Sequence, residues 1–164
     1  MARGLSVRSA TAADAGTILR FTNALVQDHR PGGQPATVSL DDVKLAGFGP
    51  DPLFAAVIAE YDGRPVGFAS FFRGYAGWRG KAVAIVHAVF VDRNARGMGV
   101  ARRMMAQVAL VAMQRGWARV ELIIEDERPA IRFYEELGMM DMRRRYMRLG
   151  GEQMVRLAAE AQGD

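Results

Sequence analysis

The stretch that most restricts the fold runs from Lys81 to Ile124. Lys81 to Val91 is rich in Val, Ala and Ile and predicts a strand. Asp92 to Met98 is polar and contains glycine, which marks a loop. From about Gly99 to Arg115 a helix is predicted, with Met104, Met105, Val108, Val111 and Ala112 as its inner stripe and Gly116 as the residue that ends it. Ala118 to Ile124 then reads as a second strand. Strand, helix and strand in that order form a candidate right-handed crossover, and so imply an α/β domain.

The flanking segments fill in the domain. Leu5 to Arg8 predicts a first strand, and Thr11-Ala-Ala-Asp14 has the form of a capping box opening a helix to about Asp28. Pro31, Gly32 and Gly33 break the chain, and Ser39 caps a second short helix that ends at Gly47-Phe-Gly-Pro50. Leu53 to Glu60 and Pro65 to Arg73 predict two strands joined by the hairpin signal Asp62-Gly63. Pro129 to Leu137 predicts a helix with Gly138 beyond its end. Tyr146 to Leu149 predicts a last strand, and Gly151 to Ala159 a closing helix. The expected order is β-α-α-β-β-β-α-β-α-β-α in one domain over residues 1–164, a mixed sheet flanked by helices.

Composition excludes several chemistries. There is no cysteine, so disulfides, Cys-containing zinc sites and a Cys nucleophile are out. The only histidines are His29 and His87, too few for a His-rich metal site. No apolar run is long enough to span a membrane or to form a signal peptide, so a soluble, cytoplasmic protein is expected. The formal net charge is +4, which favours anionic partners such as a phosphorylated cofactor or nucleic acid.

Arg96-Gly97-Met98-Gly99-Val100-Ala101 lies at the strand-to-helix junction. The first backbone N–H groups of a helix lack partners, and with the helix dipole they make an anion site. Gly97 and Gly99 let a diphosphate come close to the backbone, while Arg96 and Arg102 add positive charge. A tight turn that simply needs glycine would leave the same pattern. It is not a Walker A motif, because no Lys-Ser/Thr pair follows.

Arg96-x-x-Gly99-x-Ala101 resembles the acyl-CoA diphosphate loop of the GNAT acetyltransferase superfamily. Asp126 to Met139, with Tyr134-x-x-x-Gly138, resembles its second signature. Within the superfamily the chain is similar to the spermidine/spermine and thialysine acetyltransferase branch. The segments Val7 to Asp14, Gly47 to Phe54, Gly67 to Phe72, Trp78 to Lys81 and Arg145 to Ala158 carry that likeness. The resemblance implies the GNAT fold, a mostly antiparallel central sheet flanked by helices. It implies transfer of acetyl from acetyl-CoA to a primary amine of a small molecule, such as a diamine, polyamine or lysine-like amine, by direct attack in a ternary complex. A homodimer is implied too, with the closing helix (Met154, Val155, Leu157) as a contact.

Site residues follow from the same resemblance. Backbone groups of Val89, Phe90 and Val91 are expected to pair with the pantetheine arm. Arg96, Gly97, Met98, Gly99, Val100, Ala101 and Arg102 hold the diphosphate. Glu127, Arg128, Pro129 and Ala130 line the pantetheine or nucleotide side. Tyr134 is the general acid for the leaving thiolate, although on periodicity alone it reads as a core aromatic. An alkylammonium titrates near about 10.4, so its neutral form needs a base. His87 is the candidate, acting directly or through water; a structural histidine, or water alone, are the alternatives. Asp28, His29 and Glu121 are candidate acceptor-site residues, with a solvated helix end the alternative for Asp28.

The chain departs from the branch in places. His87 stands where the branch has Glu, and Glu127 where the superfamily has Asn. The loop His29 to Ala36 has no acidic cluster. A monoamine or an amino-acid-like amine therefore fits as well as a polycation, with Arg73, Arg79 or Arg143 to meet a carboxylate. Two other functions are compatible with the residues: acetylation of a protein N-terminus or lysine, and a non-catalytic nucleic-acid-binding or regulatory module based on Arg143-Arg-Arg145. A basic run without interleaved aromatics argues against the last.

Overall fold

A computed structural model describes residues 4–124 and 128–161 of the chain. It forms two compact units, Met1–Leu122 and Ile123–Asp164.

The first unit holds a five-stranded sheet in the order β1-β2-β3-β4-β5. β1 (Leu5–Ser9), β2 (Ala55–Tyr61), β3 (Arg64–Ala76) and β4 (Lys81–Val91) pair antiparallel in sequence order, and β5 (Val120–Leu122) runs parallel to β4. The hairpin between β2 and β3 turns at Asp62 and Gly63, both with positive φ (49° and 77°), as a two-residue loop between twisted strands requires. β3 runs three residues past the expected Arg73, because Gly74, Tyr75 and Ala76 still find partners on β4.

α1 (Ala15–His29) and α2 (Leu40–Phe48) cover one sheet face. Phe21 of α1 is fully buried against Phe68 and Phe90, with ring centroids 5.9 and 5.3 Å away. Deleting such a ring costs about 3–5 kcal/mol. Thr11 and Asp14 form the expected capping box, but it opens a short 3₁₀ turn, Ala12–Asp14, ahead of α1. In α2 the box is reciprocal: Ser39 Oγ accepts from the Asp42 N–H at 3.1 Å, and the Asp42 carboxylate accepts from the Ser39 N–H at 2.8 Å.

α3 (Val100–Gln114) covers the other face with the predicted stripe: Met104, Met105, Val108, Val111 and Ala112 are all buried. Gly67 marks the contact, since a Cβ there would lie 2.6 Å from the Phe90 carbonyl oxygen and 3.4 Å from Met104 Cε. Gly116 (φ 67°) ends α3, with Trp117 N–H donating to the Ala112 carbonyl at 2.9 Å.

The second unit contains α4 (Arg128–Glu136) and α5 (Gly151–Glu160). Residues 146–149, expected as a strand, are not one: among the described residues nothing pairs with them. A strand needs a neighbour's ladder, and apolar composition alone does not supply it. No described helix is long and apolar enough to cross a membrane.

Candidate active site

The centre of the first unit's site is the parallel pairing of β4 and β5. It spans only Ala84–Val120, Ile85–Glu121 and Val86–Leu122. β4 continues to Val91, so residues 87–91 present a sheet edge that no strand of the described residues occupies. An edge of this kind carries unpaired N–H and C=O groups and accepts an extended ligand as an added strand. The predicted backbone positions Val89, Phe90 and Val91 lie on it, although the Val91 carbonyl already accepts from Arg96 Nε.

His87 sits where that edge begins. On β3, Ser70 pairs with Ala88 and Phe71 with Val86, so His87 has no opposite residue and forms a β-bulge. The bulge reverses the alternation of β4: Val86 faces the α3 side with Phe71, whereas Phe90 packs on the α1 side with Phe68. His87 itself is exposed.

β4 leads through a 3₁₀ turn, Arg93–Ala95, to the glycine loop. Gly97 and Gly99 have φ of 79° and 76°, values that L side chains rarely adopt, and a Cβ at either would meet nothing within 4 Å. The loop therefore needs glycine for its backbone and also keeps open space beside it. The first α3 hydrogen bond runs from the Arg103 N–H to the Gly99 carbonyl at 3.0 Å. The N–H groups of Val100, Ala101 and Arg102 precede it and have no intrahelical acceptor. Val100 anchors the turn in the core, while Met98 and Arg102 are exposed. Open space, unpaired N–H groups and the adjoining strand edge fit a diphosphate with an extended arm.

Asp28 and Arg96 meet at this loop. The Asp28 carboxylate accepts from Arg93 Nη2 at 3.0 Å and also from Arg96 Nη2. Arg96 Nε donates to the Val91 carbonyl at 3.0 Å. The Arg96 guanidinium, and after it Arg93, hold the Asp28 carboxyl below the usual carboxylate range. Sequence reasoning did not find this cluster, since Asp28 lies 65 and 68 residues from its partners. A cleft of about 860 Å³ adjoins it, bounded by Asp28, Tyr61, Arg64, Arg93 and Met98. His29 is exposed at the end of α1. Glu121 on β5 accepts from Arg119 Nε at 2.6 Å.

In the second unit, Tyr134 lies on α4 with its ring 5.0 Å from that of Phe133, edge to face. Burial pushes its phenol up from the ordinary value. The Tyr134-x-x-x-Gly138 spacing has a local cause. Gly138 (φ 87°) donates to the Glu135 carbonyl at 2.8 Å, and Met139 N–H donates to the Tyr134 carbonyl at 3.0 Å. That is a Schellman cap, and it needs glycine four residues after the tyrosine. Pro129 is exposed and Ala130 half-buried; Glu127 lies outside the described residues.

A family model described as "Acetyltransferase (GNAT) family" matches residues 19–139. The thialysine N-epsilon-acetyltransferase of Sus scrofa is 28% identical over 167 residues, covering 94% of this chain and 97% of that protein. Its Bos taurus counterpart is 26% identical over the same coverage. Among solved structures, an integron cassette protein from the mobile metagenome of V. cholerae superposes with a TM-score of 0.79 at 18% identity, covering 96% of this chain and 99% of the other.

Proposed function

The chain belongs to the acetyltransferase (GNAT) family, and on that premise we propose that it moves the acetyl group of acetyl-CoA onto a primary amine of a small molecule. One observation carries this reading. The sheet edge at residues 87–91 leads, through the turn Arg93–Ala95, into a glycine loop whose following N–H groups have no helical partner. An extended arm ending in a diphosphate matches both parts at once. Acetyl-CoA supplies a thioester carbonyl as electrophile.

The chain's own residues do the rest. Val89, Phe90 and Val91 orient the arm through their backbone. Gly97 to Arg102 bind the diphosphate, with Arg96 and Arg102 as cations. Pro129 and Ala130 line the nucleotide side, with Arg128 and Glu127. Tyr134 donates a proton to the departing thiolate; its raised pKa keeps the phenol protonated at neutral pH, as an acid must be. His87, exposed at the bulge, accepts a proton from the incoming ammonium directly or through water. With no cysteine in the chain, a Cys acyl-enzyme is impossible, and direct transfer between bound partners is the simpler route.

The acceptor class rests on the thialysine acetyltransferase relatives, which cover nearly the whole chain. A lysine-like amine is accordingly the first acceptor to try. Glu121 is a candidate counter-charge on β5, where it already shares its carboxylate with Arg119. Thiol release from acetyl-CoA, measured against thialysine, lysine, polyamines and simple diamines, tests the assignment. Turnover with at least one of these amines is expected; turnover with a peptide N-terminus and none of them would contradict it.

Self-association belongs to the same reading. Met154, Val155 and Leu157 on α5 are each more than half exposed, as are Met140, Met142 and Tyr146 before it. So much exposed apolar surface on one segment is the mark of an interaction site, here with a second copy of the chain.

A further inference from the structure

We infer that Asp28 is a positioning residue for the phosphate loop, holding Arg96 in the orientation in which it receives the diphosphate. This rests on the acetyl-CoA reading above. Asp28 lies on the last turns of α1, and Arg96 immediately precedes the glycine loop. Two contacts fix the Arg96 fork. Nε donates to the Val91 carbonyl on β4 at 3.0 Å, and Nη2 donates to Asp28 on α1.

An arginine side chain has five N–H donors, and these bonds use two of them. Nη1 of Arg96 has no hydrogen-bond partner among the described residues. Arg96 can therefore meet a phosphate oxygen without leaving Asp28. A long side chain that is already ordered loses less freedom when it binds, which strengthens binding without a new contact. Arg93 shares the same carboxylate at 3.0 Å, so two cations face one anion and the loop stays net positive.

Charge alone predicts the opposite. A carboxylate near the diphosphate repels it, and removing Asp28 would then tighten binding. The exposure of the cluster decides between the two effects. Arg96 and Arg93 are 49% and 80% exposed, and the charge of Asp28, itself 23% exposed, is offset by both of them. Solvent screens the repulsion at such positions, whereas the orientation of Arg96 depends directly on its two anchors.

The test compares wild type, Asp28→Asn, Asp28→Glu, Arg96→Ala and Asp28→Asn/Arg96→Ala. CoA binding is followed by calorimetry, and KM is measured for acetyl-CoA and for the acceptor amine. In Asp28→Asn the CoA Kd and the acetyl-CoA KM should rise about tenfold, while kcat and the amine KM hold. In the Arg96→Ala background, Asp28→Asn should add less than about twofold, because the residue it positions is gone. Asp28→Glu, which keeps the charge, should recover part of the loss and carries the test if Asp28→Asn unfolds. Equal or tighter CoA binding by Asp28→Asn overturns the inference while wild type still binds. So does a rise in the amine KM alone, which would put Asp28 against the acceptor's ammonium. A wild-type protein that does not bind CoA would instead remove the acetyl-CoA reading, and this inference with it.

Discussion

Leu122 is the last residue of β5 to pair with β4, opposite Val86, and the unpaired bulge residue His87 follows at once. The ladder between the two strands thus covers three residues and stops where the bulge begins. A free edge that starts at a bulge has a defined position, because the bulge fixes which side chains of β4 face which helix. The proposed chemistry depends on that edge being free.

Replacing Tyr134 tests the proton donor. Tyr134→Phe removes one hydroxyl and keeps the ring that packs against Phe133. kcat should fall about 10²-fold or more, with CoA affinity and the cap at Gly138 intact. Steady-state rates on the preferred amine check this; full activity would exclude Tyr134 as the acid.

His87→Ala probes the base. The side chain is exposed at a bulge, so its loss should leave the fold alone. A base that acts on the ammonium should shift the acid limb of kcat/KM against pH, and the rate at neutral pH should drop roughly tenfold to a hundredfold. A profile that coincides with wild type would leave water as the base.

Acid stability should depend on Asp14. Its carboxylate accepts from Arg8 Nη1 and Nη2 at 2.8 Å each and from the Thr11 N–H at 2.8 Å. The Arg8 bonds above all hold its pKa down to about 2, against 3.8 unperturbed. A depressed carboxylate stabilises the fold above its unfolded pKa, and that contribution is lost as pH falls from about 4 towards 2. Arg8 is 41% exposed, which moderates the effect. Asp14→Asn should therefore cost on the order of 1–2 kcal/mol at pH 7. The difference from wild type should shrink below pH 4 in denaturant titrations; a constant difference would contradict the assignment.

Self-association should respond to α5. Leu157→Glu places a charge on its exposed apolar surface. Light scattering on a sizing column should show a dimer for wild type and a monomer for the variant. A monomeric wild type, or a variant dimer of equal affinity, would refute the role of this helix.

Much of this was legible in the sequence, for local reasons. β4 is an apolar, β-branched run, and its expected bounds, Lys81–Val91, match the strand to the residue. The α3 stripe and both glycine caps follow from helical period and backbone handedness. What escaped depends on distant partners. β5 is shorter than Ala118 to Ile124 because its pairing with β4 stops at Leu122. Residues 146–149 have strand composition but find no ladder among the described residues. That His87 is a bulge residue is set by its register against Ser70 and Phe71. The contacts of Asp28 with Arg93 and Arg96, and of Arg8 with Glu60, join residues more than fifty positions apart. No periodicity reports such pairs.

The central claim is that the head of α3 holds a diphosphate, and calorimetry of CoA binding to wild type and Gly99→Val measures it directly. A β-branched residue at φ 76° is strained by about 1–2 kcal/mol and intrudes on the space beside the loop. Gly63→Val, at φ 77° in the β2–β3 turn, controls for strain alone. Wild type and Gly63→Val should bind CoA alike, and Gly99→Val should bind about a hundredfold more weakly or not at all. A wild-type protein that gives no binding heat at high CoA concentration, or a Gly99→Val protein that binds as wild type does, would contradict the account.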